Sequence, residues 1–141
     1  MPLAYLIATI LLAAGALLHI WAVISGPKAL TLIGANKRIA LSRQNGTALA
    51  WIVTLLIAAL LAFLAWISFA QWRGAQDDFI RAALSLFAII FTLRGLYVFL
   101  MLPKVNWAIP RDRFFVFGSF VVLAIGLALA AGLWWPTQEI S

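Results

Sequence analysis

The chain has no cysteine, one histidine and only four acidic residues among its 141 positions. The missing cysteines exclude a disulfide scaffold and every site built on thiolates, such as a zinc knuckle or a thiol nucleophile. Charged residues make up 10% of the chain, whereas an ordinary soluble domain has about 25%. A protein so poor in charge has too little polar surface to face water on all sides.

Hydrophobic residues fill 66% of the chain and are gathered in four long runs. Each run has at least the roughly 20 residues that a helix needs to cross a bilayer core about 30 Å thick. The sequence therefore predicts an all-α polytopic membrane protein, a single domain over residues 1–141 that forms a bundle of four transmembrane helices. The predicted spans are residues 3–25, 48–72, 79–102 and 114–135.

The basic residues are divided unevenly between the two sides of the membrane. Seven of the ten Lys and Arg residues lie between spans one and two or between spans three and four, and two lie on the opposite side. Because short loops rich in Lys and Arg stay in the cytoplasm, both basic loops are predicted inside and both termini outside. Topology thus accounts for the net charge of +6, and no nucleic-acid partner is expected.

The segment from Pro27 to Gly46 is the longest connection, and it mixes cations with apolar residues. Pro27 suits a first helical turn and Asn36 suits an N-cap, so the segment is predicted to form short helices at the cytoplasmic headgroups. Anionic lipid headgroups are the expected partners of the cations in both basic loops, and an acidic partner protein is the alternative. These cations are Lys37, Arg38, Arg43, Lys104, Arg111 and Arg113.

One polar residue of each span falls at nearly the same depth, about 8–13 Å from the basic side if the helical rise is counted. The four residues are His19, Thr54, Arg94 and Ser119. Tyr97 lies one turn beyond Arg94 and adds a hydroxyl near that level. Together these five residues form a candidate ligand-binding layer.

Arg94 is the most deeply placed charge of the chain. A guanidinium near the middle of a span costs about 2.5–3.5 kcal/mol on insertion scales. No Asp or Glu lies within any predicted span to pair with it. Two alternatives stay open: a structural arginine that extends to the lipid phosphates, and an arginine that holds an anionic ligand or another subunit's acid.

His19 shares a helix face with Gly15, Ala22 and Gly26, so it is predicted to point at a neighbouring helix and to hydrogen bond across to it. A lone histidine does not build a metal site, so no metal and no cofactor are expected. The spans hold no carboxylate that would complete a triad with a serine, and an enzyme is therefore not expected.

Several strings of residues resemble those of small four-span bacterial inner-membrane proteins of unknown function. The strings are HIWAVISGP from His19 to Pro27, Gly34-Ala35, RGLY from Arg94 to Tyr97, and RDRFF from Arg111 to Phe115. Such families typically have a histidine late in the first helix and an Arg-Gly pair late in the third. The resemblance implies a bacterial inner membrane location and implies no activity.

Three functions stay open on these observations. The first is a non-enzymatic membrane protein that serves as an accessory subunit of a complex or as a small homo-oligomer. The second is a binding site for an anionic or quinone-like lipophile centred on Arg94 and His19. The third is a small anion transporter or channel with Arg94 on its pathway.

Overall fold

A computed structural model describes residues 2–135, and these residues form helices joined by short connections. The helices are α1 (Pro2–Ser25), α2 (Pro27–Leu32), α3 (Lys37–Gln44), α4 (Leu49–Trp72), α5 (Asp78–Met101) and α6 (Pro110–Trp134), with a 3-10 turn (Leu102–Lys104) after α5. The four long helices, α1, α4, α5 and α6, are each long and apolar enough to cross a membrane. The predicted fold class, an all-α bundle of four spans, is confirmed.

Capping residues and prolines set where the helices begin. Asn36 caps α3 by accepting a hydrogen bond from the backbone N–H of Ile39 at 3.0 Å. Pro27 occupies the first turn of α2, where its missing N–H would have no helical partner in any case. The two short helices predicted between Pro27 and Gly46 are thereby confirmed.

Helix α6 begins at Pro110, four residues before the predicted position 114. Ile109 precedes it in an extended conformation with φ −92° and ψ 121°, and Pro110 brings the fixed φ of a first helical turn. The charges of Arg111 and Arg113 had marked this stretch as a loop. They instead lie on the first turn of a membrane helix.

Helix α1 lies at the centre of the packing: it runs along α4 on one side and along α6 on another. Helix α5 packs along α6 and has little contact with α4. The largest apolar cluster draws on all four long helices, and one leucine from each is fully buried in it. These leucines are Leu12, Leu64, Leu84 and Leu129. The four helices therefore converge in the half of the bundle away from the two basic loops, the distal end.

The opposite end of the bundle, the basic end, carries residues 27–46 and 103–113. Its apolar cluster contains buried residues of α1, α2 and α4 only, among them Val23, Leu30 and Ala50. Helices α5 and α6 contribute no buried residue to that cluster. All four long helices thus share one apolar cluster at the distal end, whereas α5 and α6 have no part in the cluster of the basic end.

Arg43 of α3 bridges the break between α1 and α2. In a continuous helix the carbonyl of Val23 would accept the N–H of residue 27, but Pro27 has no N–H. The Arg43 Nε donates to this carbonyl at 2.8 Å, and Nη2 donates to the carbonyl of Ile24 at 3.3 Å. The guanidinium also lies 5.3 Å from the ring centre of Trp51. Arg43 therefore connects α3 with α1 and α4, a structural role that the sequence did not indicate.

Replacing Arg43 by methionine is expected to lower the free energy of unfolding by about 2 kcal/mol, because hydrogen bonds from a charged donor contribute about 1.5–3 kcal/mol. Unfolding in mild detergent, followed by helix content, measures the change. Arg38→Met is the matched control, since Arg38 is exposed on the same helix. Equal losses for the two variants would contradict the bridging role of Arg43.

Candidate functional site

A cavity of about 820 Å³ lies at the basic end, between α1 and the pair formed by α5 and α6. Its volume falls within the range of about 300–1,000 Å³ found for small-molecule sites. Helices α1 and α6 provide most of its wall, and Ile33 and Gly34 close it from the segment after α2. The cavity lies between α1 and the α5–α6 pair, which do not share an apolar cluster at the basic end.

The wall of this cavity is polar near the basic loops and apolar elsewhere. The polar side chains are His19, Arg94, Arg111, Asp112 and Ser119. The far portion is lined by leucine, valine, isoleucine and phenylalanine, including Leu11, Phe91, Val121 and Ile125. Between Arg111 and Ile125 the cavity follows α6 for about 21 Å, given the helical rise. An elongated shape with one charged end matches an amphiphile.

Arg94 borders the cavity from α5 as an exposed residue, and two residues of α6 contact its side chain. The Arg94 Nη1 donates a long hydrogen bond to the Oγ of Ser119 at 3.5 Å. The guanidinium carbon lies 5.3 Å from the ring centre of Phe115, within the range of a cation–π contact. Within residues 2–135, no carboxylate oxygen comes within 4.0 Å of this guanidinium. A guanidinium has five N–H donors, so donors remain for an oxygen atom in the cavity.

His19 borders the same cavity from α1. Its Nδ1 donates to the carbonyl of Gly15 at 2.8 Å, because a carbonyl oxygen can only accept. The hydrogen bond predicted to cross to another helix is thus formed within α1, where the carbonyl four residues earlier lies on the same face. The Nε2 atom, farther from the α1 backbone, is the remaining polar atom of the ring.

A second cavity of about 140 Å³ lies on the other side of His19. Thr54, which is 3% exposed, lines this smaller space together with Leu30 and Ile57. His19 is therefore the polar residue shared by the two cavities. Thr54 lies near the predicted layer but does not border the larger cavity.

Tyr97 is 45% exposed and lies outside both cavities. It follows Arg94 by three residues, and this step falls about 60° short of a full helical turn. Phe91 and Arg94, also three residues apart, both border the cavity, but the second such step brings the rotation from Phe91 to Tyr97 to about 120° and carries Tyr97 off the wall. Of the five residues in the candidate layer, the structure brings His19, Arg94 and Ser119 to one cavity.

Several cavity residues were not among the ligand-binding candidates, because the sequence places Arg111 in a loop and does not show which face of α6 meets the cavity. Once the helix starts at Pro110, Arg111, Phe115 and Gly118 fall on one face at spacings of four and three, and all three border the cavity. Asp112 also borders it, and its Oδ2 accepts from the backbone N–H of Asn106 at 2.9 Å. The wall of the cavity therefore carries two guanidinium groups, those of Arg94 and Arg111, and one carboxylate, that of Asp112. Its polar end has an excess of positive charge.

The other cations predicted to contact lipid headgroups or a partner protein lie at the surface of the basic end. They are exposed side chains on α3, on the 3-10 turn and on the first turn of α6. These residues are Lys37, Arg38, Lys104 and Arg113. Their contacts with anionic lipid stay a prediction.

Comparisons of this chain with family models, with curated proteins and with solved structures each found no match. The fold and the cavity are therefore the observations on which a function can be based. They describe an α-helical membrane protein with four candidate spans and a cavity that is charged at one end.

Proposed function

We propose that this protein is an integral membrane protein that binds a lipophilic molecule with an anionic or quinone-like head in the cavity between α1 and α5–α6. The observation that carries the proposal is the position of Arg94 at the polar end of an otherwise apolar cavity of about 820 Å³. The head would accept hydrogen bonds from the guanidinium, and the hydrocarbon portion would lie along α6.

The surroundings of Arg94 favour a ligand over a purely structural charge. A structural arginine is satisfied when it extends to the lipid phosphates. Here the guanidinium contacts Ser119 and Phe115 at the cavity wall, and its remaining N–H donors are available to an oxygen atom in the cavity. The planar guanidinium can also donate two parallel hydrogen bonds to a carboxylate, a phosphate or a carbonyl group.

An anion channel or transporter, the third function, is less well supported by the packing. The fully buried leucines of the distal end that do not border the cavity, Leu64, Leu84 and Leu129, fill the bundle beyond it. A pathway for ions through a single chain would have to part this cluster. An accessory role in a complex stays an alternative, and it is compatible with a bound lipophile.

A variant that fills the cavity tests the proposal. A Cβ atom placed on Gly118 meets no atom within 4 Å, and Gly118 borders the cavity, so a phenylalanine at this position is expected to place its ring in cavity space. Wild type and variant are purified in mild detergent and heated with and without a lipid extract of the native membrane. We expect the extract to raise the melting temperature of the wild type only, because a ligand that binds the folded state stabilises it.

Leu127→Phe provides the matched control, since Leu127 is 53% exposed on the same helix and lies outside the cavity. Its melting temperature should rise with extract as that of the wild type does. Native mass spectrometry of the same samples identifies what co-purifies. An extract that stabilises Gly118→Phe as much as wild type would refute the proposal, and a stoichiometric protein partner without a small molecule would favour the accessory role.

We also propose that the protein lies in a bacterial inner membrane with both termini outside. The asymmetry of seven cations against two supports this orientation. Because the chain has no cysteine, single introduced thiols report the topology directly. Lys37→Cys should resist a membrane-impermeant maleimide on intact cells, whereas Gln76→Cys in the opposite loop should react. Labelling of Lys37→Cys from outside would reverse the proposed topology.

A further inference from the structure

The two polar residues on opposite walls of the cavity have complementary hydrogen-bonding capacities. Arg94 on α5 has donors only, since a guanidinium carries no acceptor. His19 on α1 uses its Nδ1–H for the carbonyl of Gly15 at 2.8 Å. In the neutral ring this contact fixes the tautomer, so Nε2 is an acceptor with no proton of its own.

We infer that the head of the bound molecule carries a hydroxyl group beside its anionic or carbonyl oxygen, and that this hydroxyl donates to Nε2 of His19. The inference rests on the proposed function, because it names a further chemical feature of the same ligand. The negative or carbonyl oxygen lies toward Arg94, and the hydroxyl lies toward α1. His19 then determines which of several oxygen-bearing amphiphiles binds best.

The other polar groups of the wall make His19 the natural partner of such a hydroxyl. Ser119 and Asp112 both lie on α6, so their oxygens serve the wall that adjoins Arg94, whereas His19 is the polar side chain that lines the cavity from α1. A head with acceptors only, such as a plain carboxylate or an oxidised quinone, offers no donor to Nε2. A head with an added hydroxyl satisfies both walls.

Two pairs of probes differ in this hydroxyl and in little else. Hexadecanoate and 2-hydroxyhexadecanoate share their charge and chain length, and a decyl quinone and its reduced quinol share their ring and tail. Binding of each probe to the full chain in mild detergent is measured without oxygen at about pH 8. The first pair represents an anionic lipid and the second a quinone, so the two sources are distinguished.

We expect wild type to bind the hydroxylated member of at least one pair about three- to tenfold more tightly than the other member. This is the effect expected of one additional hydrogen bond, judged from hydrogen bonds between helices in membrane proteins. His19→Leu should abolish this preference. His19→Gln should keep it, because the amide oxygen is again an acceptor. Arg94→Leu should weaken the binding of both members of the pair.

The outcomes separate the inference from the proposed function. Equal binding of both members of each pair by wild type overturns the inference and leaves the cavity as a ligand site. A preference that persists in His19→Leu also overturns it. If no probe binds and no extract component stabilises wild type, the proposed function itself fails. If His19→Leu does not fold, the inference is still tested by wild type, which must bind the hydroxylated member of a pair more tightly than the other.

Discussion

Replacing Gly126 by leucine is expected to separate α5 from α6 and to prevent assembly of the bundle. A Cβ atom on Gly126 would lie 2.6 Å from the backbone nitrogen of Thr92 and 2.5 Å from its Oγ1. A Cβ atom on Gly95 would lie 2.5–2.7 Å from the Cβ, Cα and N atoms of Leu123. Because these neighbours are largely backbone atoms, no rotation of a side chain can make room.

The two glycines form a reciprocal contact between antiparallel helices. Gly95 meets the residue three positions before Gly126, and Gly126 meets the residue three positions before Gly95. Helices in lipid gain nothing from apolar burial against each other, since acyl chains are equally apolar, and they associate through close packing. The close approach of the two backbones at Gly95 and Gly126 is therefore expected to supply much of the association of α5 with α6.

Alanine at either glycine should lower stability by about 1–3 kcal/mol, the usual cost of overpacking, and leucine should cost more. Unfolding in detergent and the yield of folded protein measure both effects. Gly118→Leu on α6 is the matched control, because its Cβ would meet no atom within 4 Å and the change in helix propensity is the same. If Gly126→Leu were as stable as this control, the close contact would not hold the helices together.

The spans could be predicted from the sequence because bilayer thickness fixes the length of an apolar helix. The start of α6 could not be placed in the same way. Charge at Arg111 and Arg113 lowers hydropathy there, whereas Pro110 favours a helical first turn, and the two signals disagree. The local signal of Pro110 determined the boundary, and with it the position of Arg111 on the cavity wall.

Position along a helix axis was easier to predict than rotation about that axis. Counting residues from the loops brought His19, Arg94 and Ser119 to one level, and these three border one cavity. Rotation depends on which face each neighbour occupies, and a single sequence does not contain that information. This is why Tyr97 lies outside the cavity and why the partners of Gly95 and Gly126 emerge only from the packing.

Replacing Arg94 by leucine is expected to raise the stability of the empty protein and to abolish ligand binding. A guanidinium at this depth costs about 2.5–3.5 kcal/mol on insertion scales, and a long hydrogen bond with a cation–π contact offsets only part of that cost. Loss of a hydrogen bond from a charged donor costs about 1.5–3 kcal/mol, so the affinity for the ligand should fall by about tenfold or more.

Arg94→Lys keeps the positive charge of the side chain and removes the planar guanidinium. If the site uses the planar fork to hold two oxygens of a head, lysine should recover only a small part of the binding, since an ammonium is a point donor. If Arg94 instead extends to lipid phosphates as a structural charge, lysine should behave as wild type, and leucine should lower stability. Arg81→Leu, an exposed position near the start of the same helix, controls for the loss of a charge.

The two measurements on these variants distinguish the alternatives because they move in opposite directions. A ligand site predicts that Arg94→Leu melts at or above the wild-type temperature without extract and shows no rise with it. A structural arginine predicts a lower melting temperature without extract and a similar rise with it. Helix content and the melting temperature are measured on wild type, Arg94→Lys, Arg94→Leu and Arg81→Leu. They show whether Arg94 stabilises the fold or lowers its stability while binding a ligand. The second pattern is the one expected of residues at functional sites.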